Sequence, residues 1–271
     1  MFLLKYQIKN ANRMHERIRV QRYHYTLFQI QMLSKISRLL DFIYPANCHL
    51  CSNPLTHGRH LCEPCTESLH YVKTPFCSQC GECYDGSIQT DFICPNCHDL
   101  TLDFEFARAA LKSRGMSRSL LHDFKYRRKI HLSDELGRVL QTGLDDPRFE
   151  PFLDHGILVP VPLHRVRLRK RKFNQSEELA SSLKKFSALR IINALQRNRN
   201  TATQTRFSRA QRLKNLRGAF ELKARYHSEI QGKNIILLDD VFTTGSTANE
   251  CTRVMLAKGA KSVAVLTLLR G

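Results

Sequence analysis

Hydrophobic residues in the second half of the chain fall into short, nearly continuous runs that alternate with longer stretches of helical spacing. The apolar runs cover residues 104–111, 157–162, 235–238 and 263–269. Short runs of this kind are typical of strands buried on both faces of a parallel sheet. The helical stretches cover residues 117–126, 133–142, 176–186 and the segment ending at Leu256, with Ser133 expected to cap the second. This alternation predicts an α/β fold with a doubly wound, mostly parallel sheet over residues 101–271.

The first hundred residues follow a different pattern. Residues 1–31 are basic and weakly patterned, which indicates an extension, and Met32 is a candidate for an alternative start of the chain. The alternatives for residues 1–31 are a solvated tail and a membrane-surface helix, and the tail ranks first because no wide apolar face accompanies the basic one. Residues 33–45 have the spacing of a short amphipathic helix that stops before Pro45.

Residues 32–100 form a cysteine-rich module. Its four C-x-x-C turns are Cys48 with Cys51, Cys62 with Cys65, Cys77 with Cys80, and Cys94 with Cys97. Two such turns supply four thiolates to one tetrahedral ion, so the pattern predicts one or two structural Zn²⁺ ions. Sequential pairing of the turns is simplest, while interleaved pairing or a single occupied site stays open. Cys83 is a spare thiol or an alternative ligand. His49 and His98 each adjoin a cysteine and could replace it as a ligand, although such a neighbour is more often a bystander.

The segment after the apolar run 235–238 carries the strongest candidate chemistry. Two acids, Asp239 and Asp240, lead into a turn of Thr243, Thr244, Gly245, Ser246 and Thr247 before a helical stretch. Gly245 permits a tight turn, and the turn's amides and hydroxyls are suited to surround a phosphate at a helix start. The acids are placed to accept hydrogen bonds from ribose hydroxyls or to hold Mg²⁺ through water. A solvated acid pair before an ordinary helix cap is the plainer alternative.

Charge points to a polyanionic partner. The chain carries 43 Lys and Arg against 24 Asp and Glu, a formal net charge of +19. A basic strip follows the apolar run 157–162 and contains Arg165, Arg167, Arg169, Lys170, Arg171 and Lys172. Nearby aromatic residues are only Phe173, Phe186, Phe207 and Phe220, so limited stacking is expected. The basic segment 125–129 is equally compatible with a solvated surface and with phosphate contacts.

Targeting signals are not evident. No apolar run approaches the ~20 residues of a spanning helix, and the charged start of the chain has no apolar core like that of a signal peptide. We therefore expect a cytoplasmic protein without a transmembrane segment. Cysteines in that compartment stay reduced, which favours metal binding over disulfides.

Several of these motifs together are similar to known families. The segment from Asp239 to Thr247 resembles the phosphoribosyl-pyrophosphate (PRPP) motif of type I phosphoribosyltransferases. With the prolines at 160 and 162, the block Phe173-Asn174-Gln175, the segment 201–215 and the cysteine turns, residues 33–271 resemble the ComF family, also called GntX-like. Two departures are Lys172, where the family usually has Gly, and Phe207, where it usually has Leu.

The resemblance implies a type I phosphoribosyltransferase fold, a zinc module, and a role in handling single-stranded DNA during natural transformation or DNA use. It implies that Asp239 and Asp240 meet the ribose 2- and 3-hydroxyls and that residues 243–247 bind the 5-phosphate. The same two acids are the candidate catalytic residues. The pyrophosphate, with Mg²⁺, needs donors and cations at a second strand end, for which Val161, Pro162, Arg165 and Arg171 are the candidates.

Two functions therefore compete. In the first, the protein binds PRPP and single-stranded DNA, with the strip Arg167, Arg169, Lys170, Arg171 and Lys172 tracking the strand and DNA-uptake proteins as partners. In the second, it is an active phosphoribosyltransferase with an unidentified acceptor. Salt-sensitive oligonucleotide binding favours the first, and pyrophosphate release favours the second. A hydrolase of the α/β class is disfavoured, since the chain contains no G-x-S-x-G elbow.

Overall fold

The computed structural model describes residues 46–55, 59–84, 86, 92–200 and 215–271. The basic extension 1–31, the helix predicted over 33–45 and nearly all of the segment 201–215, with Phe207, lie outside the described residues. The chain divides into two compact units, Met1–Cys62 and Glu63–Gly271.

The described part of the first unit is a tight antiparallel turn. Asn47 pairs with Pro54, and backbone bonds from Cys48 N–H to the Asn53 carbonyl (2.8 Å) and from Leu55 N–H to the Ala46 carbonyl (2.7 Å) close it. Ser52 takes a left-handed conformation with φ 62°, which reverses the chain. The turn therefore carries Cys48 and Cys51 close together.

The second unit is built on a five-stranded sheet of order β1-β7-β6-β2-β3, in which every neighbouring pair is parallel. Its strands are β1 (Ala107–Lys112), β2 (Ile157–Pro160), β3 (Arg190–Ile191), β6 (Asn234–Phe242) and β7 (Ser262–Arg270). A separate antiparallel pair joins β4 (Leu195–Arg197) to β5 (Phe220–Leu222). The middle strand β6 is apolar and fully buried from Ile235 to Leu238. These findings confirm the predicted parallel sheet.

Helices follow the strands as the sequence predicts. They are α1 (Glu63–Glu67), α2 (Pro95–His98), α3 (Gly115–Tyr126), α4 (Ser133–Leu144), α5 (Glu150–Leu153), α6 (Arg165–Arg171), α7 (Gln175–Leu183), α8 (His227–Ile230) and α9 (Ser246–Leu256). Short 3-10 turns cover Ile130–Leu132, Pro147–Phe149 and Ala224–Tyr226. Within the described residues, no helix is long and apolar enough to cross a membrane.

Two local features differ from expectation. Ser133 does not cap α4, because the turn Ile130–Leu132 leads directly into the helix and Leu132 occupies the capping position without a side-chain bond. Lys172 ends α6 in a left-handed conformation with φ 71°, and its amide donates to the Leu168 carbonyl (2.7 Å). This lysine thus adopts the backbone conformation that glycine takes without steric cost.

Close helix packing supports the sheet. Helix α4 lies against α7, and a Cβ atom added at Gly137 would sit 2.8 Å from the Cβ of Ser182. Leu136 and Leu140 of α4 are fully buried, as are Leu179 and Leu183 of α7. The close approach of α4 and α7 that Gly137 permits therefore sets the position of α7. The first turn of α7 reaches the carboxyl end of β6.

Candidate functional site

The acid pair lies at the carboxyl end of β6, where two helices reach it. The Ser176 hydroxyl, in the first turn of α7, donates to Asp239 Oδ1 (3.2 Å), as does the Asp240 amide (2.8 Å). Lys125, in the last turn of α3, places its Nζ 2.6 Å from Asp240 Oδ2. Each carboxylate therefore has a defined partner from another element of the fold.

The electrostatic surroundings of Asp239 shift its pKa. Burial, and after it the neighbouring Asp240 carboxylate, raise the pKa of Asp239 to about 7, although the Asp240 amide, Lys125 and Ser176 act in the opposite direction. Arg197 and Cys251 also interact electrostatically with Asp239. Asp239 is thus poised to gain or lose a proton near neutral pH.

The loop after β6 makes the tight turn that its glycine predicts. Gly245 has φ 78° and begins α9, and a Cβ there would lie 2.7 Å from the ring Cζ of Phe242, so only glycine fits. The hydroxyls of Thr244 and Ser246 are 2.8 Å apart. The two hydroxyls therefore lie in the same turn as the start of α9.

Arg270 is hydrogen-bonded to the start of this loop. Its guanidinium is buried and donates to the carbonyls of Phe242 (3.1 Å) and Thr243 (3.1 Å). It also bonds to the Glu82 carboxylate and lies 3.7 Å from the Cys80 sulfur. Arg270 therefore joins the first residues of the loop to the cysteine-rich segment.

The residues proposed for the pyrophosphate occupy the end of β2 and helix α6. The Val161 amide donates to the Leu238 carbonyl (2.9 Å), so it is engaged inside the sheet and is no donor for a ligand. Pro162 is buried and has no amide hydrogen. Arg165 begins α6 and is exposed, whereas Arg171 donates to Gln175 Oε1 (2.9 Å). The role of these residues toward a ligand stays a prediction, with the cations as the better candidates.

The basic strip forms the exposed helix α6, in which no residue is buried. Arg169, Lys170 and Lys172 are exposed, and Arg167 is half-buried. Their contact with nucleic acid stays a prediction.

The cysteine sulfurs gather in two sets, each with its four sulfur atoms within 4.8 Å of one another. The sets are Cys48, Cys51, Cys62 and Cys65, and Cys77, Cys80, Cys94 and Cys97. This is the sequential arrangement of the turns. Among the described residues, Cys83, His49 and His98 belong to neither set.

Both sets have the donor chemistry that Zn²⁺ prefers, four thiols in a compact group. In the first, the Cys62 amide donates to the Cys48 sulfur (3.4 Å); in the second, the Cys94 amide donates to the Cys77 sulfur (3.2 Å). A hydrogen bond from the Cys80 thiol is the main cause that lowers the pKa of Cys77 below its ordinary value. Amide donors and a thiolate are the features of a metal-binding turn.

The second set is also part of the core of its unit. Its cysteines are buried in the cluster that contains Phe104, Phe242 and Val265. The Ala107 amide of β1 donates to the Gln79 carbonyl (2.8 Å) between two of the cysteines. Metal binding there would consequently support the sheet directly.

Comparisons with known proteins agree with this description. Residues 39–99 match the family model of the double zinc ribbon domain. "DNA utilization protein YhgH" of Escherichia coli O6:H1 is 30% identical over 237 residues, which cover 83% of this chain and 97% of that protein. "Competence protein F" of Haemophilus influenzae is 28% identical over 228 residues, covering 83% and 93%. The chain belongs to the ComF family. A hypoxanthine phosphoribosyltransferase from Staphylococcus aureus matches this ComF-family chain at 13% identity and TM-score 0.30, over 51% of this chain and 64% of that one.

The predicted α/β class with a parallel sheet is confirmed for this ComF-family chain, as is the zinc ribbon match that precedes the sheet in the sequence. The type I phosphoribosyltransferase relationship of the sheet stays a prediction. Sequence reasoning missed three residues that organise the site, Ser176, Arg197 and Arg270, and left Lys125 undecided. Ser176 directly follows the Phe173-Asn174-Gln175 block, which is a usable signal. No local pattern marks Arg270.

We expect the change Cys77→Ser to remove one of two bound Zn²⁺ ions and to lower the unfolding temperature. A loss of ~3 kcal/mol would correspond to about 6–12 °C for a chain of this size. Metal analysis and thermal unfolding measure both effects. The control Cys83→Ser changes a thiol outside both sets and should keep the full zinc content. Freshly isolated wild-type protein without zinc would contradict the expectation.

The raised pKa of Asp239 predicts a pH-dependent stability. Its pKa rises from 3.8 when unfolded to about 7 when folded, so the folded state binds more protons between these values and stability falls as pH rises from 4 to 7. Allowing for partial solvent contact, we expect a loss of ~2 kcal/mol that Asp239→Asn abolishes. Denaturant unfolding between pH 4.5 and 8 measures it. The exposed control Asp154→Asn should keep the wild-type slope, and equal slopes for all three proteins would refute the assignment.

Proposed function

We propose that this ComF-family protein binds PRPP, or a related phosphoribosyl ligand, together with single-stranded DNA. We propose further that it acts in the cytoplasm, in natural transformation or DNA use, alongside proteins of DNA uptake. The names of its relatives, a competence protein and a DNA utilization protein, support this role.

The ligand proposal rests on one observation. Two groups of residues, one suited to a ribose and one suited to a phosphate, lie on the same strand and on the loop that follows it. The acid pair lies near the carboxyl end of β6, and the loop with Gly245 leads from that strand into α9. Carboxylates accept from ribose hydroxyls, while a loop at a helix start donates to a phosphate. A ribose 5-phosphate satisfies both groups of residues at once, and open α/β sheets bind ligands at this edge.

The cations of α6 and Lys125 extend the proposal from ribose 5-phosphate to PRPP. A diphosphate carries several negative charges and needs cations around it. Lys125 already lies against Asp240, and α6 begins only a few residues after β2, the strand beside β6. Oxygen donors such as Asp239 and Asp240 also suit Mg²⁺ held through water, which would partly neutralise the diphosphate when bound.

The DNA proposal rests on charge and exposure. The short helix α6 is rich in cations and has no buried residue, so it offers contacts to phosphates without recognising bases. This is expected of a protein that binds single-stranded DNA regardless of its sequence.

A second candidate, an active phosphoribosyltransferase, is favoured by one observation, the pKa of Asp239 near 7. In such a transfer the bond between ribose C1 and the pyrophosphate oxygen breaks, pyrophosphate leaves with the electron pair, and the acceptor bonds to C1. The acceptor's proton must then pass to a base, and a group with a pKa near the working pH suits that step. Pyrophosphate release with a panel of nucleobases would support this candidate over binding alone.

We expect PRPP with Mg²⁺ to raise the unfolding temperature of the wild-type protein. At a ligand concentration a hundredfold above Kd, the folded state should be stabilised by ~2.7 kcal/mol. The pair of changes Asp239→Asn and Asp240→Asn should abolish that shift, since amides cannot replace carboxylates as acceptors for two hydroxyls. The variant should still fold, because the acids are not core residues. Asp154→Asn is the exposed control. An unchanged shift in the double variant would place the ligand elsewhere.

Single-stranded DNA should bind with an affinity that falls steeply with salt and varies little with sequence. Neutralising Arg167, Arg169 and Arg171 together as Gln should weaken binding and reduce the salt slope by ~2, at about 0.7 per phosphate contact. Changing three other exposed cations, Lys184, Lys258 and Lys261, to Gln is the charge-matched control. Labelled-oligonucleotide titrations across a salt series, with and without PRPP, measure this. Absence of binding at low salt would remove the DNA proposal.

A further inference from the structure

Two basic segments that are about forty residues apart in the chain meet on one surface. The Arg128 guanidinium donates to the Lys170 carbonyl (3.4 Å), and the Arg171 guanidinium donates to the Tyr126 hydroxyl (3.3 Å). The segment after α3 and helix α6 therefore present their cations together. We call this set the cationic face: Arg127, Arg128, Lys129, Arg169 and Lys170, all exposed.

An exposed aromatic residue belongs to this surface. Tyr126 is 60% exposed, with its ring centroid 5.0 Å from that of His122 and 5.1 Å from the Arg171 guanidinium carbon. By contrast, Phe173 and Phe220, which the sequence places near the basic strip, are buried and unavailable for stacking. Tyr126 thus supplies the exposed ring that the strip itself lacks.

A polar cavity lies on the same helix. It has a volume of about 320 Å³ and is lined by Arg118, Ser119, His122, Asp123 and Arg127. His122 belongs both to this cavity and to the ring pair with Tyr126. The surface therefore combines aromatic rings, hydrogen-bonding groups and cations.

We propose that Tyr126, with His122 beside it, is a stacking platform for one base of single-stranded DNA, and that the cationic face holds the phosphates on either side of that base. The inference rests on the proposed DNA binding. Charge complementarity and an exposed ring fit a strand, in which flat bases and phosphates alternate, and every base can stack regardless of sequence. In a duplex the bases are already stacked on one another and cannot reach the ring.

Helix α3 carries both the proposed platform and a contact of the acid pair. Lys125, the residue before Tyr126, pairs with Asp240. A base on Tyr126 would consequently lie one residue along α3 from a contact of the proposed PRPP site.

The test compares Tyr126→Leu with the wild-type protein, using a short labelled oligothymidine and an abasic oligomer of equal charge. Stacking contributes about 1–3 kcal/mol per base, so Tyr126→Leu should weaken oligothymidine binding by about 5- to 150-fold while leaving the salt slope unchanged. Tyr126→Phe keeps the ring and should bind like the wild type. Tyr84→Leu, at another exposed tyrosine (48%), is the matched control. The wild type should prefer oligothymidine to the abasic oligomer, and Tyr126→Leu should lose that preference.

A direct reporter is available because the chain contains no tryptophan. Tyr126→Trp places a single indole on the platform, and its fluorescence should be quenched by oligothymidine but not by the abasic oligomer. Thermal unfolding confirms that each variant is folded.

Three outcomes would overturn the inference. Salt-dependent wild-type binding that Tyr126→Leu leaves unaltered would mean that phosphate contacts alone hold the strand, and the proposed DNA binding would survive. Quenching by thymidine monophosphate as effective as that by the oligomer, at equal nucleotide concentration, would show a mononucleotide site instead. A wild-type protein that binds no oligonucleotide at low salt would remove both the inference and the DNA proposal.

Discussion

Two carboxylates side by side at the end of a buried strand are the constraint on which the site depends. Unless each is compensated, repulsion and poor hydration prevent both from being ionised. Lys125 compensates Asp240, and Ser176 with a backbone amide compensates Asp239 only in part, so that its pKa rises to about 7. Helices α3 and α7 are therefore tied to the end of β6 by the same charges that a ribose would engage.

The loop after β6 depends on a second buried group. Arg270 ends β7 beside β6, and its bonds to the carbonyls of Phe242 and Thr243 determine where the loop starts. Because the same guanidinium reaches Cys80 and Glu82, the second cysteine set and the loop share one support. The second cysteine set therefore contributes directly to the sheet unit, since Cys77, Cys80, Cys94 and Cys97 lie in its hydrophobic core.

Local signals account for what the sequence predicted well. An apolar run before two acids identified β6, and a glycine after two threonines identified a turn that a Cβ atom would block. Lys125 contacts Asp240, and Arg270 contacts Cys80 and Glu82, across more than a hundred positions, while the bonds from Arg270 to Phe242 and Thr243 span 28 and 27 positions. These contacts follow from the topology of the sheet and from no pattern within a segment. The prediction that Ser133 caps α4 was wrong for a related reason. A serine before a periodic stretch suggests a helix cap, but the preceding 3-10 turn leads directly into the helix.

The central claim is that the end of β6 is a ribose-phosphate site held ready by Lys125 and Arg270. A crystal structure with PRPP and Mg²⁺ tests it most directly. The account predicts the 5-phosphate within hydrogen-bonding distance of residues 243–247, the ribose hydroxyls on Asp239 and Asp240, and the Lys125 ammonium turned from Asp240 toward the ligand. PRPP bound elsewhere, with the Lys125–Asp240 pair intact and the loop empty, would contradict it.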